Sequence, residues 1–480
     1  MSRTANIDDN NDKAGQRAGD NERRRVPTRA LVLVPDLKRS ARPLSDAATG
    51  AGRTAPLHSP HDRLEEARGL SEAIDLDVRD AMLVPVSSPR PSTLFGSGKV
   101  ESLGAHIEAD EIGLVIIDHP VSPIQQRNLE RAWKTKVLDR TGLILEIFGR
   151  RARTREGRLQ VELAHLSYQK SRLVRTWTHL ERQRGGYGFL GGPGEAQIEL
   201  DRRMIDERIM AIRKELEVVV RTRDLHRQGR RRVPYPVVAI VGYTNAGKST
   251  LFNRITGASV FAKHQLFATL DPTMREVRLQ SGRRIILSDT VGFISDLPTM
   301  LVAAFRATLE EVIEADLILH VRDISHDETE SQAQDVEAVL RDLGIDTLAV
   351  DAPIIEVWNK TDLLEQPKRE EIESQARWSS ERPPVLVSAV TGDGIDALLG
   401  AIDARLGSGD AELQLDIPPE GGRLLNWLYE EAEVLARETL DSGGVRVRVR
   451  VAAEKKERLL ANARRSGVEA VDVRRVSNQV

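Results

Sequence analysis

No cysteine occurs in the 480 residues of this chain. That excludes disulfides, thiolate metal sites and thiol-based catalysis, and it suits a reducing compartment. No apolar run approaches the roughly 18 residues that a membrane-crossing helix needs. The first residues, MSRTANIDDNND, lack the apolar core of a signal peptide. Net charge is −3 at pH 7, so no bulk charge marks a polyanion binder, and any such surface must come from local clustering. These absences leave a soluble cytoplasmic protein as the expectation. What is present is 40% apolar and 30% charged residues, enough for packed cores in about two to four domains.

Residues 1–27 are polar, charged and aperiodic, and read as a disordered tail. From residue 28 to 150, strand-like runs (ALVLVP, DAMLVPV, IGLVIID) alternate with helix patterns (HDRLEEARGLSEAI, KVESLGAHIEAD, QQRNLERAWKT). That alternation implies a small α/β domain with a largely parallel sheet. Residues 151–232 change character. Leu159, Leu163, Leu166, Leu173, Trp177 and Leu180 step by 4, 3, 7, 4 and 3, and Ile198, Ile205, Ile209, Ile212, Leu216 and Val219 step by 7, 4, 3, 4 and 3. Both are coiled-coil seams. Between them lies GGYGFLGGPG, residues 185–194, with six glycines and a proline. An antiparallel helical hairpin with a Gly-rich tip is the simplest solution. Roughly 25 helical residues per arm, at 1.5 Å each, make it somewhat under 40 Å long and projecting. A second α/β domain spans 233–407. A small α+β domain follows over 411–476, with a helix expected from about Gly422 to Thr439 and VRVRVRV as a half-exposed strand.

VVAIVGYTNAGKSTLFNRI is an apolar strand, then Gly242-x4-Gly247-Lys248-Ser249, then a helix pattern. This is a P-loop in its proper context. Backbone N–H groups curl around phosphate, and the helix points its positive end at it. Lys248 neutralises the β- and γ-phosphates, and Ser249 ligates magnesium. Downstream, PIIEVW runs into Asn359-Lys360-Thr361-Asp362. A carboxylate at Asp362 accepts from the ring N–H and exocyclic amine of guanine, which adenine does not present there. Asn359 holds the loop, and Ser388 and Ala389 of PVLVSAVTGDG place a backbone N–H on the guanine oxygen. In IILSDTVGF, Asp289 holds magnesium through water, and the Gly292 N–H senses the γ-phosphate. FATLDPT lies where a switch loop belongs. Thr269 is the choice for the second magnesium hydroxyl, with Thr273 its competitor. Phe293 stands where many GTPases carry a water-orienting glutamine. The candidate GTP-contact set is therefore Gly242, Tyr243, Thr244, Asn245, Ala246, Gly247, Lys248, Ser249, Phe267, Ala268, Thr269, Leu270, Asp271, Asp289, Thr290, Val291, Gly292, Asn359, Lys360, Thr361, Asp362, Ser388, Ala389 and Val390. Of these, Lys248, Thr269, Asp289 and Gly292 are the catalytic candidates.

GSGK at 96–99 resembles part of a second phosphate loop. It lacks the upstream glycine, since Thr93 occupies that place, and Val100 stands where Ser or Thr belongs, so a tight turn is the reading.

With GYTNAGKST, FATLDPT and DTVGF, with GSGKVE, with DRTGLILEIFGRRARTREGRLQVELAHLSYQ, and with the Gly-rich tip followed by GEAQIELDRR, the chain resembles the HflX family of translation-factor-class GTPases. The resemblance covers about residues 28–400. It implies a monomeric, magnesium-dependent cytoplasmic GTPase that binds GTP and GDP. It also implies binding to the large ribosomal subunit, separation of stalled or stressed ribosomes, and a hairpin tip reaching toward the peptidyl-transferase region. The family shares a hydrophobic residue in the glutamine position. Asn245 resembles the asparagine that binds potassium in related GTPases, which makes K+ a candidate second ion. Some relatives carry an ATP-linked activity, such as RNA unwinding, in the N-terminal part.

The charge pattern bears on the RNA expectation. Arg150 to Arg184 holds ten Lys or Arg against three Glu, and Arg221 to Arg232 holds six Arg against one Asp. Basic clusters bind polyanions, and aromatic rings stack on exposed bases. Arg182, Arg184, Tyr187 and Phe189 are the candidate RNA contacts. A regulatory module that reports GTP to a protein partner is the alternative reading.

Overall fold

Arg29–Leu37 (β1) is buried along almost its whole length, as a strand must be when both faces of its sheet are covered. It anchors a four-stranded parallel sheet in the order β2-β1-β3-β4, with β2 Asp77–Val86, β3 Leu114–Ile117 and β4 Lys136–Asp139. Helices Pro60–Glu72 (α1), Ser97–Ala109 (α2) and Pro123–Trp133 (α3) connect the strands. In α3 the chain starts as its sequence directs. Ser122 and Gln125 form a reciprocal capping box and Pro123 sits in the first turn, where no donor is lost. The GSGK stretch is the start of α2, with Gly96 as its N-cap at φ −66°.

The chain was obtained as a computed structural model, which describes residues 27–37, 58–183, 193–230, 235–258, 266–267, 269, 272–296, 306–347, 349, 352–378, 382–407, 411–440, 442–451 and 453–472. It divides into two compact units, residues 1–48 with 63–143, and residues 49–62 with 144–480. The first holds the parallel sheet above. Its core gathers Leu31, Leu33, Val115, Ile117, Leu103 and Leu129.

Arg140–Arg151 (α4) begins in the first unit and ends in the second, where it runs into Arg155–Gln183 (α5), which Thr154 caps by accepting from the Gly157 N–H at 3.0 Å. Pro193–Arg230 (α6) returns alongside it. The pairing is antiparallel: Glu162 meets Arg208 at 2.8 Å, Arg155 meets Glu215 at 3.6 Å, and Lys170 meets Asp206. Leu159, Ile209 and Ile212 of the two seams are buried. Leu163, Leu166, Leu173, Ile205, Leu216 and Val219 are half-buried. The side chains of Trp177, Leu180 and Ile198 lie outside the described residues. Pro193 and Gly194 belong to the first turn of α6 rather than to the expected tip, because proline at the start of a helix gives up an N–H that has no partner there anyway.

The nucleotide-type domain is a six-stranded sheet ordered β10-β9-β8-β5-β7-β6. Its strands are β5 Val237–Gly242, β6 Thr273–Arg278, β7 Arg284–Asp289, β8 Leu317–Asp323, β9 Ile354–Asn359 and β10 Val385–Leu386. All pairs are parallel except β6 with β7. Its helices are Lys248–Thr256 (α7), Arg306–Ile313 (α8), Thr329–Asp342 (α9), Gln366–Trp378 (α10) and Ile395–Gly407 (α11). The carboxyl ends of the central strands are therefore the place for a ligand.

The last domain corrects one expectation. The helix from Gly422 stops at Glu431 (α12), and Glu433–Thr439 is a strand (β12). Local propensity in EEAEVLARETL favours helix, but pairing wins. Glu433 lies opposite Arg450 and Glu438 opposite Arg446 on Val445–Val451 (β13). With Ala411–Ile417 (β11), Ala453–Arg465 (α13) and Ala470–Asp472 (β14), the sheet runs β12-β13-β11-β14, all antiparallel. Val447, Val449 and Val451 fill its core. On the other face, buried Arg450 bonds Glu412 at 3.1 Å, Glu433 at 3.2 Å and the Ser281 carbonyl at 3.2 Å. Among the described residues, no helix is long and apolar enough to cross a membrane.

Arg450→Ala strands two carboxylates that it holds. It is expected to lower stability by about 3 kcal/mol, the cost of removing one partner from a buried ion pair. Urea unfolding followed by circular dichroism checks this. An unchanged midpoint would show that the triad is not load-sharing.

Candidate active site

The strand β5 ends at Gly242 because no side chain fits there. A Cβ would lie 2.2 Å from the Val321 carbonyl oxygen on β8. Gly247 sits at φ +91°, and a Cβ there would stand 2.3 Å from Asn359 Nδ2. The loop thus packs tightly between β8 and the Asn359 side chain, and α7 begins at Lys248 with its amino end facing the loop's concave side.

Lys248 is buried, and Nζ donates to the carbonyls of Gly242 at 3.1 Å and Tyr243 at 2.7 Å. Burial pulls its pKa down to about 8, partly offset by the Asp289 carboxylate. Asp289, at the end of β7, is 0% exposed. Burial pushes its carboxyl up, while the Ser249 hydroxyl, Lys248 and the Thr269 hydroxyl pull it back. Three oxygens converge. Ser249 Oγ donates to Asp289 Oδ2 at 2.7 Å, Thr269 Oγ1 lies 2.8 Å from the same oxygen, and the two hydroxyls are 2.8 Å apart. Asp289 Oδ1 is buried and has no hydrogen-bond partner among the described residues. An all-oxygen set with one carboxylate oxygen unspent fits a small hard cation such as Mg2+. Thr273 instead opens β6, with its backbone opposite Asp289. Of the two threonines, Thr269 is the one whose hydroxyl lies beside Ser249 and Asp289.

The segment after β7 is zipped to the P-loop. The Phe293 N–H donates to Gly242 O at 3.1 Å, and the Thr244 N–H donates to Phe293 O at 2.7 Å. Phe293 itself is 2% exposed, so its ring packs in the interior. Thr290 Oγ1 donates to Ile240 O at 2.6 Å, Val291 is buried, and Gly292 lies beside Thr244 and Lys248. Asn245 is exposed and held at φ +61°.

At the other end, Asn359 Nδ2 donates to Ala246 O at 2.8 Å, and its Oδ1 accepts from the Ala389 N–H at 3.0 Å. One side chain therefore ties the P-loop to the base loops. Lys360, at φ +67°, reaches Asp323 at 2.6 Å. Thr361 Oγ1 donates to Val387 O at 3.1 Å. Asp362 accepts from Ser388 Oγ at 2.6 Å. The N–H groups of Ser388 and Ala389 are engaged within the loop, with Asp393 O and Asn359 Oδ1. In this arrangement neither N–H is turned to an outside acceptor, and Val390 beside them is exposed. Ala268, Leu270 and Asp271, the Arg182 side chain, and Arg184, Tyr187 and Phe189 lie outside the described residues.

A cavity of about 530 Å3 joins the two ends, bounded by the P-loop, Phe267, Thr269, Gly292, Asn359 and Asp362. Sequence reasoning missed three further contacts in this unit. The Ser295 N–H donates to the Tyr243 hydroxyl at 2.8 Å. Arg254 on α7 donates to the carbonyls of Val390, at 3.2 Å, and Thr391. His58 joins Glu328 at 2.6 Å and Asp335 at 2.7 Å, which raises its pKa to about 9 against the cost of burial. An arginine two turns into the P-loop helix was the one available signal. Elsewhere, His320, Glu337 and Glu356 bring ligand atoms within 4.8 Å of one another. Burial, then Arg322 and Lys248, pushes the His320 pKa down to about 3.

Four family models match in series. Residues 61–149 match one described as GTP-binding GTPase N-terminal, and 151–230 one described as GTP-binding GTPase Middle Region. Residues 237–360 match 50S ribosome-binding GTPase, and 374–471 the HflX C-terminal domain. The last match carries the likeness beyond residue 400. The GTPase HflX of Magnetococcus marinus is 52% identical over 372 residues, covering 78% of this chain and 84% of that one. Those of Escherichia coli and Caldanaerobacter subterraneus are each 43% identical, covering 81% and 84% of this chain and 89% and 91% of theirs. With the P-loop, the hydroxyls of Ser249 and Thr269 and the loop from Asn359 to Asp362 around one cavity, and with relatives this similar over most of its length, the chain belongs to the HflX family of GTPases, enzymes that hydrolyse GTP.

Proposed function

We propose that this GTPase works on ribosomes. Bound to GTP it grips the large subunit and separates stalled or stressed ribosomes into subunits. Hydrolysis to GDP and phosphate releases it. The observation that carries the nucleotide part is a cavity lined by Lys248, Ser249 and Thr269 at one end, with Asp289 buried behind the two hydroxyls, and by Asn359 and Asp362 at the other. The ribosome part is supported by the match of 237–360 to a family described as 50S ribosome-binding GTPase, and by the excess of basic residues along α5.

In this reading the P-loop N–H groups and the amino end of α7 receive the phosphates. Lys248 neutralises the β- and γ-oxygens. Ser249, Thr269 and Asp289 would hold Mg2+. The ion would supply positive charge where negative charge develops on the phosphate oxygens. Gly292 offers its N–H to the γ-phosphate, so both switch segments respond to its loss. Asp362 selects guanine. Phe293 cannot orient water, so turnover is slow for the protein alone and is completed on the ribosome. Asn245 supports a K+ ion beside the phosphates. The protein acts as a monomer in the cytoplasm, and the hairpin tip, with Arg182, Arg184, Tyr187 and Phe189, meets ribosomal RNA near the peptidyl-transferase region.

Three outcomes follow. Asp362→Asn removes two charge-assisted hydrogen bonds, so GTP affinity falls about a hundredfold while XTP affinity rises. Fluorescent-nucleotide competition measures this, and unchanged GTP affinity would remove the base-site assignment. Hydrolysis runs faster in potassium than in sodium chloride at equal ionic strength, and equal rates dismiss the K+ ion. Arg182→Glu with Arg184→Glu weakens cosedimentation with large subunits in a non-hydrolysable GTP analogue, most visibly at high salt. Unchanged pelleting would count against the hairpin as an RNA-binding arm.

A further inference from the structure

Phe148 and Phe267 meet edge to face, with ring centroids 4.8 Å apart and planes at 79°. Both are buried, at 1% and 2% exposure. Phe148 lies on α4 among Ile144, Leu145 and Ile147, which are also fully buried. Phe267 lies in the switch segment, two residues before Thr269. Its φ is +57°, a left-handed conformation that a bulky side chain adopts only when its surroundings hold it there. The Ala152 N–H returns to Phe148 O at 2.9 Å, and Thr154 then caps the first hairpin helix. The chain therefore passes from Phe148 to the start of α5 at Arg155 in seven residues.

We infer that Phe148 is a positioning residue for GTP hydrolysis: its ring seats Phe267, and through it holds the Thr269 hydroxyl against Asp289, so that a shift of the α4–α5 corner is read at the magnesium oxygens. The inference rests on the assignment of Thr269 as a magnesium ligand. Edge-to-face contact has a preferred geometry, so a small rotation of α4 changes the seat of Phe267. Guanine recognition uses other elements, β9 and the loops after it, and stays independent of the pair.

The test compares the full-length protein with Phe148→Leu, Phe148→Ala and Thr269→Ala. Phe148→Leu keeps an apolar filler and removes the ring, so it carries the test if the alanine variant does not fold. For each variant, the Mg2+ concentration for half-maximal GTP hydrolysis and kcat are measured. GDP affinity in EDTA and the melting temperature are measured alongside. The expected result for Phe148→Leu is a Mg2+ requirement about threefold to tenfold higher, the equivalent of a lost aromatic pair, with GDP affinity in EDTA unchanged. Wild-type Mg2+ dependence and kcat in both Phe148 variants, with Thr269→Ala impaired, overturn the inference alone. Wild-type behaviour of Thr269→Ala overturns the ligand assignment beneath it. An equal loss of GDP affinity in EDTA in Phe148→Leu would mean general damage and would also overturn the inference.

Discussion

A lysine ammonium and an aspartate carboxylate are buried together where β5 and β7 end. Neither is tolerated alone in an apolar interior, since each isolated ion would shed its charge or unfold its surroundings. Here the cation is satisfied by the carbonyls of Gly242 and Tyr243, and the anion by the hydroxyls of Ser249 and Thr269. Burial pulls their pKa values in opposite directions, Lys248 downward and Asp289 upward, and each is held back by the other's charge. Every other feature of the site serves that placement. Gly242 lets β8 come close, and Asn359 braces the loop from the far side.

The switch segments inherit their sensitivity from the same crowding. The Phe293 backbone is zipped to the P-loop, and Thr269 shares an oxygen with Ser249. A phosphate or cation that takes over one of these partners changes what the others can reach. The base loops respond to the same loop through Asn359 and, from α7, through Arg254. The P-loop and the loops after β9 and β10 are thus joined by a few polar contacts, while α4 meets the segment before Thr269 through an aromatic pair.

Much of the site was legible because its chemistry depends on backbone spacing. A P-loop needs glycine at 242 and 247 and lysine at 248, and strand, loop and helix follow one another without interruption. The parallel sheets were legible for a similar reason, since strands such as ALVLVP are apolar on both faces. What escaped was set by partners distant in the chain. Nothing near Phe148 announces Phe267. Nothing in EVLARET announces that Arg446 and Arg450 will align its glutamates and draw the segment into a sheet. The N–H groups of Ser388 and Ala389 looked available because the acceptors that take them, Asp393 O and Asn359 Oδ1, are fixed only by the folded loop.

The account holds that the cavity is a complete GTP site whose turnover waits for the ribosome. Steady-state GTP hydrolysis by the full-length protein, alone and with purified large or small ribosomal subunits, addresses it most directly. The account predicts a rate that rises with large subunits and stays at its basal level with small ones. Equal rates in all three conditions would contradict it.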